Sequence, residues 1–248
     1  MYWMAALVLL SINSAYALDA KIMTDKISSL LDNRCLRSAP FAGTSAEILY
    51  LRGSPVDAGN APQAGQKLLD IAGQLGALRG HTVNSEAIHH TSWRKACERL
   101  QMSTAEHIYL IGHSYGAAGA VKIARCLQDH GKNISLLSTI SSYDFLAGVD
   151  VTKIPANVVT HFNYSTTDAS MPGYDNHTAD DPDHTLVRNV LAEQESNFPH
   201  LNVAEDIVAL ITLQIFADME SKAAQAIIPE SFNANRADEN LGQFWSCN

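Results

Sequence analysis

The pentapeptide Gly112-His113-Ser114-Tyr115-Gly116 sets one serine between two glycines, with a single residue on either side of it. A serine hydroxyl is a weak nucleophile. Chemistry at Ser114 therefore needs a bend that presents it, a base to take its proton and an acid to orient that base. The flanking glycines answer the first need, because a turn this tight leaves no space for side chains at its base. The spacing G-x-S-x-G carries meaning only in context. Here the β-prone run His107-Ile-Tyr-Leu-Ile111 leads directly in, and Ala117 to Leu127 (AAGAVKIARCL) leads out as a helix. The N-terminus of that helix would aim backbone N–H groups at negative charge developing beside the serine.

Ten histidines are available as a base. At a strand–bend–helix site of this type the chain order is serine, then Asp or Glu, then His. That order sets aside His81, His89, His90, His107, His113 and His130. His161 falls inside a predicted strand, which commits its side chain to a sheet face. His177 and His184 fall in a polar stretch. His200 follows Asn197-Phe198-Pro199 and directly precedes the last long apolar helix, on a loop facing the strand ends, so it is the first choice. His184 is the second. For the acid, Asp168 stands four residues beyond Tyr164, where a strand has just ended; Asp144, just after the preceding strand, competes with it. Asp175, Asp180, Asp181 and Asp183 read as a solvated acidic loop, since the Asp180–His184 cluster lacks the partner cluster that calcium would need.

These groups need a scaffold, and the apolar pattern supplies one. Ala46–Leu51, His107–Ile111, Ile134–Ile140 and Val158–Tyr164 are short apolar runs that predict strands, with a weaker one over His81–Ile88. Ala64–Leu78, a segment from Thr91 or Ser92 to about Gln101, Gly116–His130 and Val203–Met219 predict helices, with Gly80 and Gly131 as C-terminal caps. Strands separated by helices imply right-handed crossovers and a mostly parallel sheet. The expected fold is one α/β domain over residues 18–248, a central sheet flanked by helices on both faces.

Composition narrows the function classes. Of 248 residues, 17 are Lys or Arg and 26 Asp or Glu, a net charge of −9, with no basic cluster, which argues against nucleic acid as a partner. With 46% hydrophobic residues the chain has ample material for a core. Residues 1–17 place the apolar run Ala5–Ile12 before Ala15-Tyr16-Ala17, a signal-peptide pattern that lacks a preceding Lys or Arg. The run is too short for a transmembrane helix, and export to the periplasm or the exterior is expected. In that setting the four cysteines, Cys35, Cys97, Cys126 and Cys247, suggest two disulfides, with three pairings possible. Asn133, Asn163 and Asn176 begin glycosylation triplets.

Leu51-Arg-Gly-Ser54, Gly112-His-Ser-Tyr-Gly-Ala117, Tyr164-Ser-Thr-Thr-Asp168 and Pro199-His200 together resemble the α/β-hydrolase superfamily, most closely the small bacterial lipases and serine esterases without a large lid. The resemblance spans about Ala46 to Met219. It implies Ser114 as nucleophile, Asp168 as acid, His200 as base, and the backbone N–H groups of Tyr115 and Ser54 as oxyanion donors. That family usually has His-Gly where this chain has Arg52-Gly53. The implied activity is hydrolysis of a small-molecule or lipid ester through an acyl-enzyme, with neither metal nor organic cofactor. The alternatives are an inert binding protein on the same fold, and an acyltransferase or peptidase using the same residues.

Overall fold

The apolar runs of the sequence form strands covered on both sides. The computed structural model describes residues 22–29, 31, 43–53, 61–144, 148–166, 176–193, 199–220 and 231–233. Its main sheet contains β1 (Ser45–Arg52), β2 (Thr82–His89), β3 (His107–His113), β4 (Ile134–Ile140), β6 (Val158–Ser165), β8 (Leu186–Glu193) and β9 (Ser231–Asn233). The order is β2-β1-β3-β4-β6-β8-β9, and all six pairings are parallel. A separate two-strand ladder joins β5 (Lys153–Ile154) to β7 (Thr178–Ala179).

Because successive side chains on a strand face opposite ways, each apolar run feeds two cores. Ile48 and Tyr50 of β1, Tyr109 and Ile111 of β3, and Phe162 and Tyr164 of β6 enter one. Leu49, Leu51, Ile108, Leu110 and Leu137 enter the other. The first core is roofed by a helix over residues 22–29 (α1), by α2 (Ala61–Arg79) and by α5 (Pro199–Met219). The second is roofed by α3 (Trp93–Met102) and α4 (Tyr115–Gln128), which the Cys97–Cys126 disulfide joins. Cys35 and Cys247 lie outside the described residues, as do residues 1–17. Among the described residues no helix is long and apolar enough to cross a membrane.

Most expected elements form, with small shifts at their ends. Gly80 and Gly131 adopt positive φ (75° and 66°) just past α2 and α4, the conformation expected of their caps. Ser92 occupies the N-cap position of α3, but its side chain makes no capping bond. Three differences bear on the site. β8 was not expected from the sequence, because Leu186–Glu193 lacks both an unbroken apolar run and a clean alternation. It is half-exposed, with only three-residue β9 beyond it. α5 begins at Pro199, so the His200 backbone belongs to its first turn and not to a preceding loop. Asn163, one of the glycosylation triplets, is fully buried in β6, accepting from the Thr139 hydroxyl and donating to Asn189.

Candidate functional site

Ser114 directly follows β3 and occupies the N-cap of α4 with φ 55° and ψ −125°, a conformation costing an L-residue on the order of 1–3 kcal/mol. The surroundings hold it there. Its N–H donates to the Ile140 carbonyl at the end of β4 (3.0 Å), and its own carbonyl accepts from Ala117 (3.0 Å) and Tyr143 (3.3 Å). The glycines are required by close approach. A Cβ on Gly112 would lie 2.4 Å from the Gly116 carbonyl oxygen, and one on Gly116 only 2.0 Å from that of Leu51. A serine at an N-cap ordinarily spends its hydroxyl on the helix amides; Ser114 does not. Gly53, at the exit of β1, comes closest: a Cβ built there would be 3.0 Å from the Ser114 Cβ and 3.4 Å from its Oγ.

Parallel pairing brings the carboxyl ends of β3, β4, β6 and β8 to one edge, side by side in that order. Ligands of open α/β sheets bind at that edge. Ser114 and Tyr115 leave β3 there, and Asp144 follows the exit of β4. Tyr115 is the first residue of α4, where backbone amides have no partner within the helix. Its ring packs edge-on against Tyr143 (5.0 Å), and its phenol is raised above the ordinary range by partial desolvation and by nearby Tyr143 and Asp144. One Asp144 carboxylate oxygen accepts the Val151 N–H at 3.2 Å, so this residue also closes its own loop. His200 is placed by its backbone at the start of the crossover helix that leaves β8, again on this edge. Asp168 and Ser54 lie outside the described residues. His184 and Asp180 are exposed at the opposite end of β8, with Asp180 3.5 Å from Arg125. Among the described residues no group of three or more His, Cys, Asp or Glu is placed to hold a metal ion.

A second polar cluster lies beside the first and was not foreseen. His161 Nδ1 is 2.9 Å from the Leu137 carbonyl, which can only accept, so that nitrogen carries the proton. Its Nε2 then accepts from His177 Nδ1–H (2.9 Å), and His177 Nε2 accepts from the Ser142 hydroxyl (3.1 Å). The two rings are nearly coplanar, 4° apart. Burial keeps both neutral. His161 is driven well below the usual histidine range, with His177 beside it adding to the effect, and His177 is lowered to about 4 although Asp150 and Asp144 oppose the shift. Asn189 of β8 grips the His177 backbone from both sides, accepting its N–H (2.8 Å) and donating to its carbonyl (3.1 Å). The chain of bonds fastens the exit of β4 to β6 and β8.

His161 was expected to be committed to a sheet face, and it is. His177 was read as part of a polar loop, and nothing local in Asn176-His177-Thr178 marks it as buried. His90 was set aside by chain order. It donates through Nδ1 to the Gly53 carbonyl and lies along the Tyr115 ring at 5.7 Å. The parallel register that pairs Arg52 with His89 puts Gly53 and His90 next to each other at the strand exits, a proximity that no spacing in the sequence announces. No protein-family model matches this chain, and a search of curated proteins finds no relative.

Proposed function

We propose that this protein is an exported serine hydrolase of α/β-hydrolase type that cleaves carboxylic esters of small molecules or lipids. Ser114 is the nucleophile, His200 the base and Asp168 its orienting acid, with the amides of Tyr115 and Ser54 as oxyanion donors. The observation that supports this most is the backbone of Ser114: a non-glycine residue held at φ 55° at the carboxyl edge of a parallel sheet, over a helix N-terminus. Strain of that kind persists only where surrounding structure enforces it, and here three backbone partners do. The α/β fold with helices on both faces is compatible with the resemblance in the sequence. The Cys97–Cys126 disulfide fits an oxidising compartment.

In the proposed reaction Ser114 Oγ bonds to the ester carbonyl carbon while the His200 imidazole takes the hydroxyl proton. The carbonyl electron pair moves to oxygen, where main-chain N–H groups stabilise it. Collapse breaks the bond to the alcohol, which leaves with the proton from His200. Water, activated by the same imidazole, then releases the acid and restores Ser114.

Labelling with a fluorophosphonate followed by peptide mapping tests this without a guessed substrate. The expected result is one adduct, on the peptide containing Ser114, that disappears in Ser114→Ala. An absent adduct, or one that persists in that variant, overturns the assignment.

A further inference from the structure

We infer that His90 is a positioning residue for the oxyanion site: its imidazole holds the Gly53 carbonyl, and through it the exit of β1, against Ser114. The inference rests on the serine-hydrolase reading and deepens it. Its starting point is register. Arg52 pairs with His89 across β1 and β2, so Gly53 and His90 leave the sheet side by side at the edge where β3 delivers the serine. The Gly53 carbonyl can only accept, which fixes the proton on His90 Nδ1. Under the serine-hydrolase reading the residue bonded to this carbonyl, residue 54, supplies the second expected oxyanion donor. The space is narrow, since even a methyl group on Gly53 would press on the Ser114 Cβ at 3.0 Å.

His90 is itself anchored. It opens a short 3-10 turn, His90–Ser92, at whose start the His89 side chain accepts from the Thr91 N–H. Its backbone sits over α4, so that a Cβ on Gly119 would lie 3.3 Å from the His90 Cα. Its ring runs beside Tyr115, the residue carrying the first expected donor. One imidazole therefore touches both segments whose spacing must match a developing oxyanion. Donor placement of this kind acts on the chemical step more than on substrate affinity.

The test compares the unaltered protein with His90→Ala, His90→Asn and His90→Gln. The readouts are hydrolysis of p-nitrophenyl acetate and the rate of fluorophosphonate labelling at Ser114, with thermal melting as a check on folding. Asn can place an amide N–H near the position of Nδ1, whereas the Gln amide reaches beyond it. His90→Ala should lower kcat on the order of 10²-fold, with KM changed by no more than about twofold and labelling slowed in parallel. His90→Asn should recover most of the loss and His90→Gln little. If His90→Ala fails to fold, the ranking of Asn above Gln carries the test. Unchanged kcat in His90→Ala, or Asn and Gln impaired equally, overturns the role of His90 while labelled Ser114 leaves the hydrolase reading standing. An unaltered protein that neither labels at Ser114 nor turns over ester overturns both.

Discussion

Ser114 and Ser142 follow adjacent strands at the same edge of one sheet, and each sits at or next to a residue with positive φ (Ser114 at 55°, Ser141 at 43°). Ser142 has the company of a nucleophile, with His177 Nε2 at 3.1 Å and a second imidazole behind it. Yet Ser142 is fully buried, its proton is committed to His177, and the relay ends on a neutral carbonyl where a triad has a carboxylate. Ser114 has the tight bend, the two glycines and the helix N-terminus. A hydrogen-bonded Ser–His pair is also an ordinary way to fasten a loop. The main-chain geometry separates the two serines.

The sharpest way to break this comparison is to remove each hydroxyl. Ser114→Ala should lower turnover of a p-nitrophenyl ester by up to ~10⁶-fold, and Ser142→Ala by less than about tenfold. Steady-state kinetics on both variants checks the ranking, and the reverse order would exchange the roles of the two sites. Next in size is the acid. Asp168→Asn should cost on the order of 10⁴ in kcat and Asp144→Asn far less, because Asp144 already accepts the Val151 amide. If Asp144→Asn proves the more damaging, the acid belongs at the end of β4.

The relay should show itself in stability. His161 and His177 are neutral and lowered in the folded protein, whereas an unfolded histidine titrates near 6.5. Acid therefore protonates the unfolded chain first. Stability should be level above about pH 7 and fall as pH drops from about 6.5 towards about 4, His177 alone accounting for roughly 3 kcal/mol. Urea midpoints across that range give the measurement, and a flat profile would mean that the relay is not neutral and buried as described. The smallest effect expected is a gain. Ser114→Gly relieves the positive φ and should stabilise the protein by about 1 kcal/mol while abolishing labelling, seen as a higher urea midpoint.

The central strands were legible because a parallel sheet roofed on both faces is written in predominantly apolar, β-branched runs, as in Ile134–Ile140 and His107–Ile111. The bend at Ser114 was legible because its glycines are a steric necessity. β8 escaped because its exposed half carries Arg188 and Asn189, which dilute the apolar signal. The relay escaped for a different reason. Ser142, His177 and His161 come from a strand exit, a polar segment and a strand, and no spacing rule connects them. His90 was passed over because chain order concerns which histidine acts as base, and holding a carbonyl obeys no such order.

The bend at Ser114 draws on partners from two neighbouring strands: Leu51 and Gly53 beyond the middle of β1, and Ile140 and Tyr143 around the end of β4. In this strand order β1 lies between β2 and β3, and every pairing in the large sheet waits on a crossover. Non-local parallel pairing of this kind makes for slow assembly. The serine's amide should accordingly be among the last to gain protection in refolding followed by pulsed hydrogen exchange. Under the hydrolase reading, a chain still folding would then be harmless to the esters around it, with its reactivity switched on only by the final pairings.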